Sequence, residues 1–475
     1  MVFSSLSFLF FFLPFFLICY YLIKDEYKNG LLFLGSLIFY GIGEPHFVLL
    51  MLASILVNYL FGLCLEKCSQ KPVRKRILFV FTLLLDFGIL FYFKYTNFFL
   101  ENINVLLRIW HVDYAFTLLD LALPLGISFY TFQIASYIID VYRGTIQAEH
   151  SFIDLGAYIS MFPQLIAGPI VMYSSIHKDL KKRTVTMEGF DEGLKNFIIG
   201  LGFKVILANR IGLLWNEICT IGYASISTPL AWLGALSYSL QLYFDFCGYS
   251  LMAIGLGKML GFTMPQNFNY PYMARSVTEF WRRWHITLGA WFRTYIYIPL
   301  GGNRKGKPRM FFNLFVVWFL VGLWHGASWN FILWGLLILL MQIIEKGFLL
   351  KLLERNHFIA KCLSHVYMTV YILISWILFA ISDFQQLGIY LSHMFGLAEV
   401  SSVNSMDYLP ILYDYGPLLL LGIFFSTDFP KRICQKISEK LPVFGISIGV
   451  YLGIFWYAVY FLSIGISNPF LYFRF

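Results

Sequence analysis

The chain has 475 residues, 59% hydrophobic and 13% charged, with a net charge of +9. Soluble domains carry about 25% charged residues, so a soluble enzyme is excluded. A nucleic-acid-binding protein is excluded too, because the cations sit in short runs between apolar segments, the pattern of membrane-protein loops.

In chain order, residues 2–23 form a first apolar segment with no basic start and no small-residue cleavage pattern before Lys24. It is expected to be a retained span rather than a signal peptide, with Lys24 and Lys28 on the cytoplasmic side. Residues 31–66 are too long for one crossing, and Gly41, Gly43 and Pro45 break them into a hairpin. The basic run from Lys67 to Arg76 follows, then spans at 77–100 and 119–141. Residues 151–173 are apolar but hold Pro163, Gly168 and Pro169, which predicts broken or re-entrant backbone. After the basic run from Lys178 to Arg183 come spans at 194–214 and 229–260. Residues 311–344 contain no Asp, Glu, Lys or Arg. As one straight helix they would run about 51 Å at 1.5 Å per residue, beyond a core of about 30 Å, so the chain must bend, and 322–328 is the expected place. Spans near 366–384, 411–427 and 442–466 complete an all-α integral membrane fold of about eleven crossings, read as one polytopic domain over 1–475. Seven cysteines are scattered; only Cys64 and Cys68 lie one turn apart, without a partner set, and no metal site is expected.

Two segments bear chemistry. On a helix at about 100° per residue, Phe280, Trp281, Trp284, Leu288, Trp291, Phe292 and Tyr295 share one face. Arg275, Glu279, Arg282, Arg283 and Arg293 lie opposite. That is the pattern of a helix lying in the membrane interface, and the interface alone accounts for it. Such a helix can also wall a cavity entrance, where Arg282 and Arg283 would meet a phosphate-rich ligand such as coenzyme A. Arg304, beyond the turn at Gly301 and Gly302, offers the same chemistry, although a plain cytoplasmic loop explains that cluster as well. His325 lies in the middle of the uncharged run, among Gly322, Trp324, Gly326, Ala327, Trp329 and Asn330. An ionisable residue inside a span is costly and marks a pathway or a reaction centre, and imidazole suits proton transfer near neutral pH. A helix-packing histidine bonded to a neighbouring carbonyl is the plainer reading of the same residue.

The sequence resembles the membrane-bound O-acyltransferase (MBOAT) family, in its bacterial AlgI-like branch that acetylates exopolysaccharides. The likeness is carried by residues 1–5, 126–133, 162–170, 244–250, 280–288, 297–304, 324–327 and 468–473. It implies a multi-span fold with interfacial helices around a central catalytic tunnel, its core at about 120–345. It implies His325 as the catalytic histidine and His285 as a second histidine at the same centre. Trp324, Trp329, Asn330, Arg282, Arg283, Trp284, Asn303 and Arg304 are then expected along the donor and substrate tunnel. No cofactor is expected to be held permanently, and acetyl-CoA or another acyl thioester serves as donor substrate. The implied setting is a bacterial cytoplasmic membrane, with membrane lipid, an extracytoplasmic polysaccharide acceptor and an SGNH-type, AlgX-like acetyltransferase as partners. D-alanyl transfer to teichoic acid from a carrier protein is the alternative on the same fold. A transporter without covalent chemistry also suits broken helices, but no inverted repeat or acidic array supports it.

Overall fold

A computed structural model describes residues 1–166, 168–397, 404–438, 444–465 and 471. The described residues form helices and connecting segments, with no strand, as the composition predicts. Of the likeness at 468–473, all but Leu471 lies outside the described residues, as does Ala167. The chain divides into two compact units: Met1–Leu194 with Ala253–Pro265, and Lys195–Met252 with Gln266–Phe475.

In the first unit, Phe8, Phe12, Phe16 and Phe39 close around Phe162, with centroids 5.2 to 6.3 Å away. The hairpin expected within 31–66 forms as helices Lys28–Gly43 and Val48–Lys67, broken by a 3-10 turn at Pro45–Phe47. Helix Pro72–Ile109 is longer than its apolar stretch. Residues 119–126, expected as the start of the next span, are not helical, and the helix there is Ile127–Arg143. The reason is side-chain competition for the backbone. Asn104 exchanges two hydrogen bonds with the Phe116 peptide, 2.7 and 2.8 Å, and Asn97 two with Leu119, 2.8 and 2.9 Å. These hold the segment extended until Gly126, at φ 73°, opens the helix. Residues 151–173 are broken as expected, into Phe152–Ser160 and Phe162–Leu165.

The second unit is built from long helices, among them Phe358–Ala380 and Tyr408–Phe425. The uncharged run folds as helix Lys307–His325 and helix Trp329–Ile344, with the bend at 326–328. The two helices touch backbone to backbone. A Cβ on Gly335 would lie 2.3 Å from the Trp318 carbonyl oxygen, and one on Gly322 would lie 2.6 Å from that of Phe331. Small residues that let helices approach this closely are the usual means of packing in a membrane. Gly335→Ala is expected to lose about 1–3 kcal/mol, read as a lower unfolding midpoint in detergent; an unchanged midpoint would refute the close approach.

Among the described residues, seven helices are long and apolar enough to cross a membrane. Helices Lys28–Gly43 and Ile127–Arg143, of 16 and 17 residues, fall short of the roughly 20 residues of a full span. Leu84 and Trp456, 68% and 58% exposed, illustrate the outward apolar surface that lipid covers.

Candidate active site

The segment expected as one interfacial helix over 280–295 is two short helices and a wider turn, Val277–Arg283, Ile286–Phe292 and Arg293–Tyr297. Between them His285 takes a left-handed backbone, φ 44°. Peptide groups at the break bond to an upstream non-helical segment instead of to the helix. Ile286 N–H donates to the Asn267 carbonyl, and Asn269 N–H to that of Arg283, both at 2.9 Å. The aromatic face turns into the protein: Phe280, Trp284 and Trp291 are each at most 2% exposed. Glu345 fixes the start of the first helix. Its buried carboxylate accepts from the Val277 and Thr278 N–H groups, the Thr278 hydroxyl and the Tyr367 hydroxyl.

His285 is clamped by Asn267. The Thr287 N–H, which can only donate, points at Asn267 Oδ1 (3.3 Å), so that atom is the amide oxygen. The Thr287 hydroxyl donates to the same oxygen at 2.9 Å. His285 Nδ1 lies 3.1 Å from it and must therefore bear the proton, which puts the lone pair on Nε2. Burial pushes the His285 pKa down to about 3, so the ring is neutral throughout the physiological range.

His325 is the last residue of its helix and 4% exposed. Edge-to-face rings box it in: Trp334 at 4.9 Å, Phe379 at 5.3 Å and Trp324 at 4.9 Å between centroids. Beyond it the chain turns extended at Gly326, and Phe331 packs so close that a Cβ on Gly326 would lie 2.3 Å from its ring. His285 packs on Trp324 at 5.8 Å, so the two histidines share one indole. An apolar box excludes water and sharpens electrostatic and proton-transfer effects inside it.

The other expected residues separate by depth. Trp284 is buried against Trp376 at 4.8 Å, and Trp376 stacks on Trp334 at 5.8 Å, one layer behind His325. Asn330 is buried and donates to the Phe379 carbonyl at 3.0 Å, tying down the C-terminal end of helix Phe358–Ala380, which carries Phe379 into the box. Trp329 is 49% exposed. Arg282, Asn303 and Arg304 are exposed, and Arg283 pairs with Glu279 at 2.7 Å. Sequence reasoning missed Asn267, Trp334, Phe379 and Glu345. The signals in reach were the polar pair Asn267 and Asn269 in a proline-rich turn, and Glu345 as the first acid after the uncharged run.

Residues 145–384 match the family described as MBOAT, membrane-bound O-acyltransferase family. The chain is 40% identical to the probable alginate O-acetylase AlgI of Pseudomonas aeruginosa, over 93% of this chain and 84% of that protein. It is 35% identical to the peptidoglycan O-acetyltransferase of Helicobacter pylori, over 84% and 81% of the two chains. A more distant likeness, 30% over 45% of this chain and 56% of the other, joins it to the teichoic acid D-alanyltransferase of Bacillus subtilis. The likeness to full-length O-acetylating relatives and the family match together establish that this multi-pass membrane protein belongs to the membrane-bound O-acyltransferase family and is an acyltransferase.

Proposed function

We propose that the chain moves an acetyl group from a cytoplasmic acetyl-CoA thioester to a hydroxyl of a polysaccharide outside the cytoplasmic membrane, directly or through a secreted SGNH-type, AlgX-like partner. The observation that carries this reading is the boxed His325 beside a second, neutral histidine on the same indole. In the step we assign, His325 takes the proton of the acceptor hydroxyl as its oxygen attacks the thioester carbonyl. The Trp324 N–H or a backbone amide freed by the bend stabilises the oxyanion. The C–S bond then breaks, and the thiolate leaves with the proton held by His325, which restores the base. His285 orients the partners of that transfer through Nε2. The names of the relatives, alginate O-acetylase and peptidoglycan O-acetyltransferase, support a glycan acceptor.

Expression in a bacterial host that lacks its own O-acetylase is expected to add base-labile acetate to envelope or secreted polysaccharide, measured as acetate released by mild alkali. Release of D-alanine instead would favour the second reading, for which the Bacillus subtilis relative speaks. Release of neither, from cells that contain the protein and its partner, would count against acyl transfer to a glycan.

A further inference from the structure

A cavity of about 420 Å³ in the second unit is lined by Asn269, Tyr270, Arg283, Asp428, Lys431 and Arg432, among others. Three cations face one carboxylate there. Arg283 is held by Glu279 and Arg432 by Asp428, at 2.7 and 2.6 Å. Lys431 has no carboxylate within ion-pair distance among the described residues. Asp428 Oδ1 is buried and has no donor among the described residues. Tyr270, in left-handed backbone at φ 45°, adds an aromatic ring. Lys431 and Arg432 stand outside the matched segment 145–384, on helix Phe429–Ser438.

The cavity is joined to the catalytic box by the same paired segments that hold His285. Asn269 is two residues from Asn267, Arg283 is two from His285, and their peptides bond to each other. Two residues of extended chain span about 7 Å, so a ligand head seated here lies one flexible arm from the histidines. The volume falls within the range of small-ligand sites, about 300–1,000 Å³.

We infer that this cavity is the seat of the phosphorylated nucleoside head of the donor, which deepens the reading of a coenzyme A thioester and rests on it. Phosphate oxygens go to Lys431, Arg432 and Arg283 as charge-assisted contacts. A hydroxyl or ring amine donates to Asp428 Oδ1, and the base lies on Tyr270. The acyl arm runs along the segment 267–269 and 283–285 towards His325. The reacting thioester is thus placed by a head that takes no part in the bond changes, which is how remote binding energy serves a reaction.

The test uses the purified full chain and the double variant Lys431→Ala/Arg432→Ala, assayed with acetyl-CoA and with the short thioester S-acetyl-N-acetylcysteamine, which has no phosphate. The double variant is expected to raise KM for acetyl-CoA about tenfold or more. Its kcat stays within about twofold, and turnover of the short thioester is unchanged. An unmoved acetyl-CoA KM in the double variant overturns the inference and leaves the donor reading intact. Equal losses with both thioesters overturn it too, because the residues then act on the fold. No histidine-dependent turnover of acetyl-CoA by the wild type removes the donor reading and the inference together. Phosphorus analysis of the purified protein is the second arm. Bound phosphatidylglycerol that is lost in the variant, with KM unmoved, assigns the cavity to a lipid phosphate and overturns the nucleotide assignment.

Discussion

Replacing His325 by alanine is expected to reduce acyl transfer by about 10²- to 10⁴-fold, the usual contribution of a positioned general base. The same substitution empties the box between Trp324, Trp334 and Phe379, and large-to-small changes in a core cost about 2–5 kcal/mol. Lost activity in His325→Ala alone would therefore confuse chemistry with packing. His325→Gln separates them, because it keeps most of the volume and a polar end but cannot act as a base near neutral pH. The expected result is an unfolding midpoint close to that of the wild type with acyl transfer still lost. A glutamine variant that retains a third or more of wild-type turnover would return His325 to a packing role.

Asp245 and Lys204 form an ion pair at 2.5 Å, each side chain 2% exposed, and Asp245 Oδ2 also accepts the Leu471 N–H at 2.9 Å. Helix Thr228–Met259 and the wide turn Phe203–Ala208 present the two charges to each other. Removing one partner leaves the other buried without compensation, a loss of about 3–5 kcal/mol. Asp245→Ala is expected to unfold at much lower temperature in detergent. The double variant Lys204→Met/Asp245→Leu should recover most of the loss, short of about 1 kcal/mol for the unmatched Leu471 N–H. Equal destabilisation by the single and double variants would show that the pair is not the cause. The pairing also bears on transport, since an acid committed to a lysine and to a backbone amide is poorly placed to move protons or cations.

Where the sequence imposed a length limit, the fold was legible. An uncharged run too long for one crossing had to bend, and it does so at 326–328. The break within 31–66 falls at Pro45–Phe47 for the same reason. Where distant side chains decide the backbone, it was not. Asn97 and Asn104 hold Leu119 and Phe116 from 22 and 12 residues away, so an apolar stretch that reads as helix is extended. Asn267 likewise clamps His285 from 18 residues upstream, which turns one amphipathic pattern into two short helices. His325 stood out because it is a lone imidazole in an apolar run. Trp334 and Phe379 did not, because an aromatic residue in a membrane helix is ordinary until folding brings it against a histidine. The arginines show the same limit. Arg282 and Arg283 look alike in the sequence, yet Arg283 lines the cavity beside Lys431 and Arg432 and Arg282 does not.

The central claim is histidine-dependent acyl transfer from a thioester, and the most direct measurement uses inside-out membrane vesicles containing the protein. Radiolabelled acetyl-CoA is supplied outside, and thioester turnover and transferred label are followed for the wild type, His325→Gln and His325→Ala. The account predicts turnover by the wild type, slow hydrolysis included when no acceptor is present, and none above background in either variant. Turnover that persists in both variants, or a folded wild type that leaves the thioester intact with acceptor and partner supplied, would contradict it.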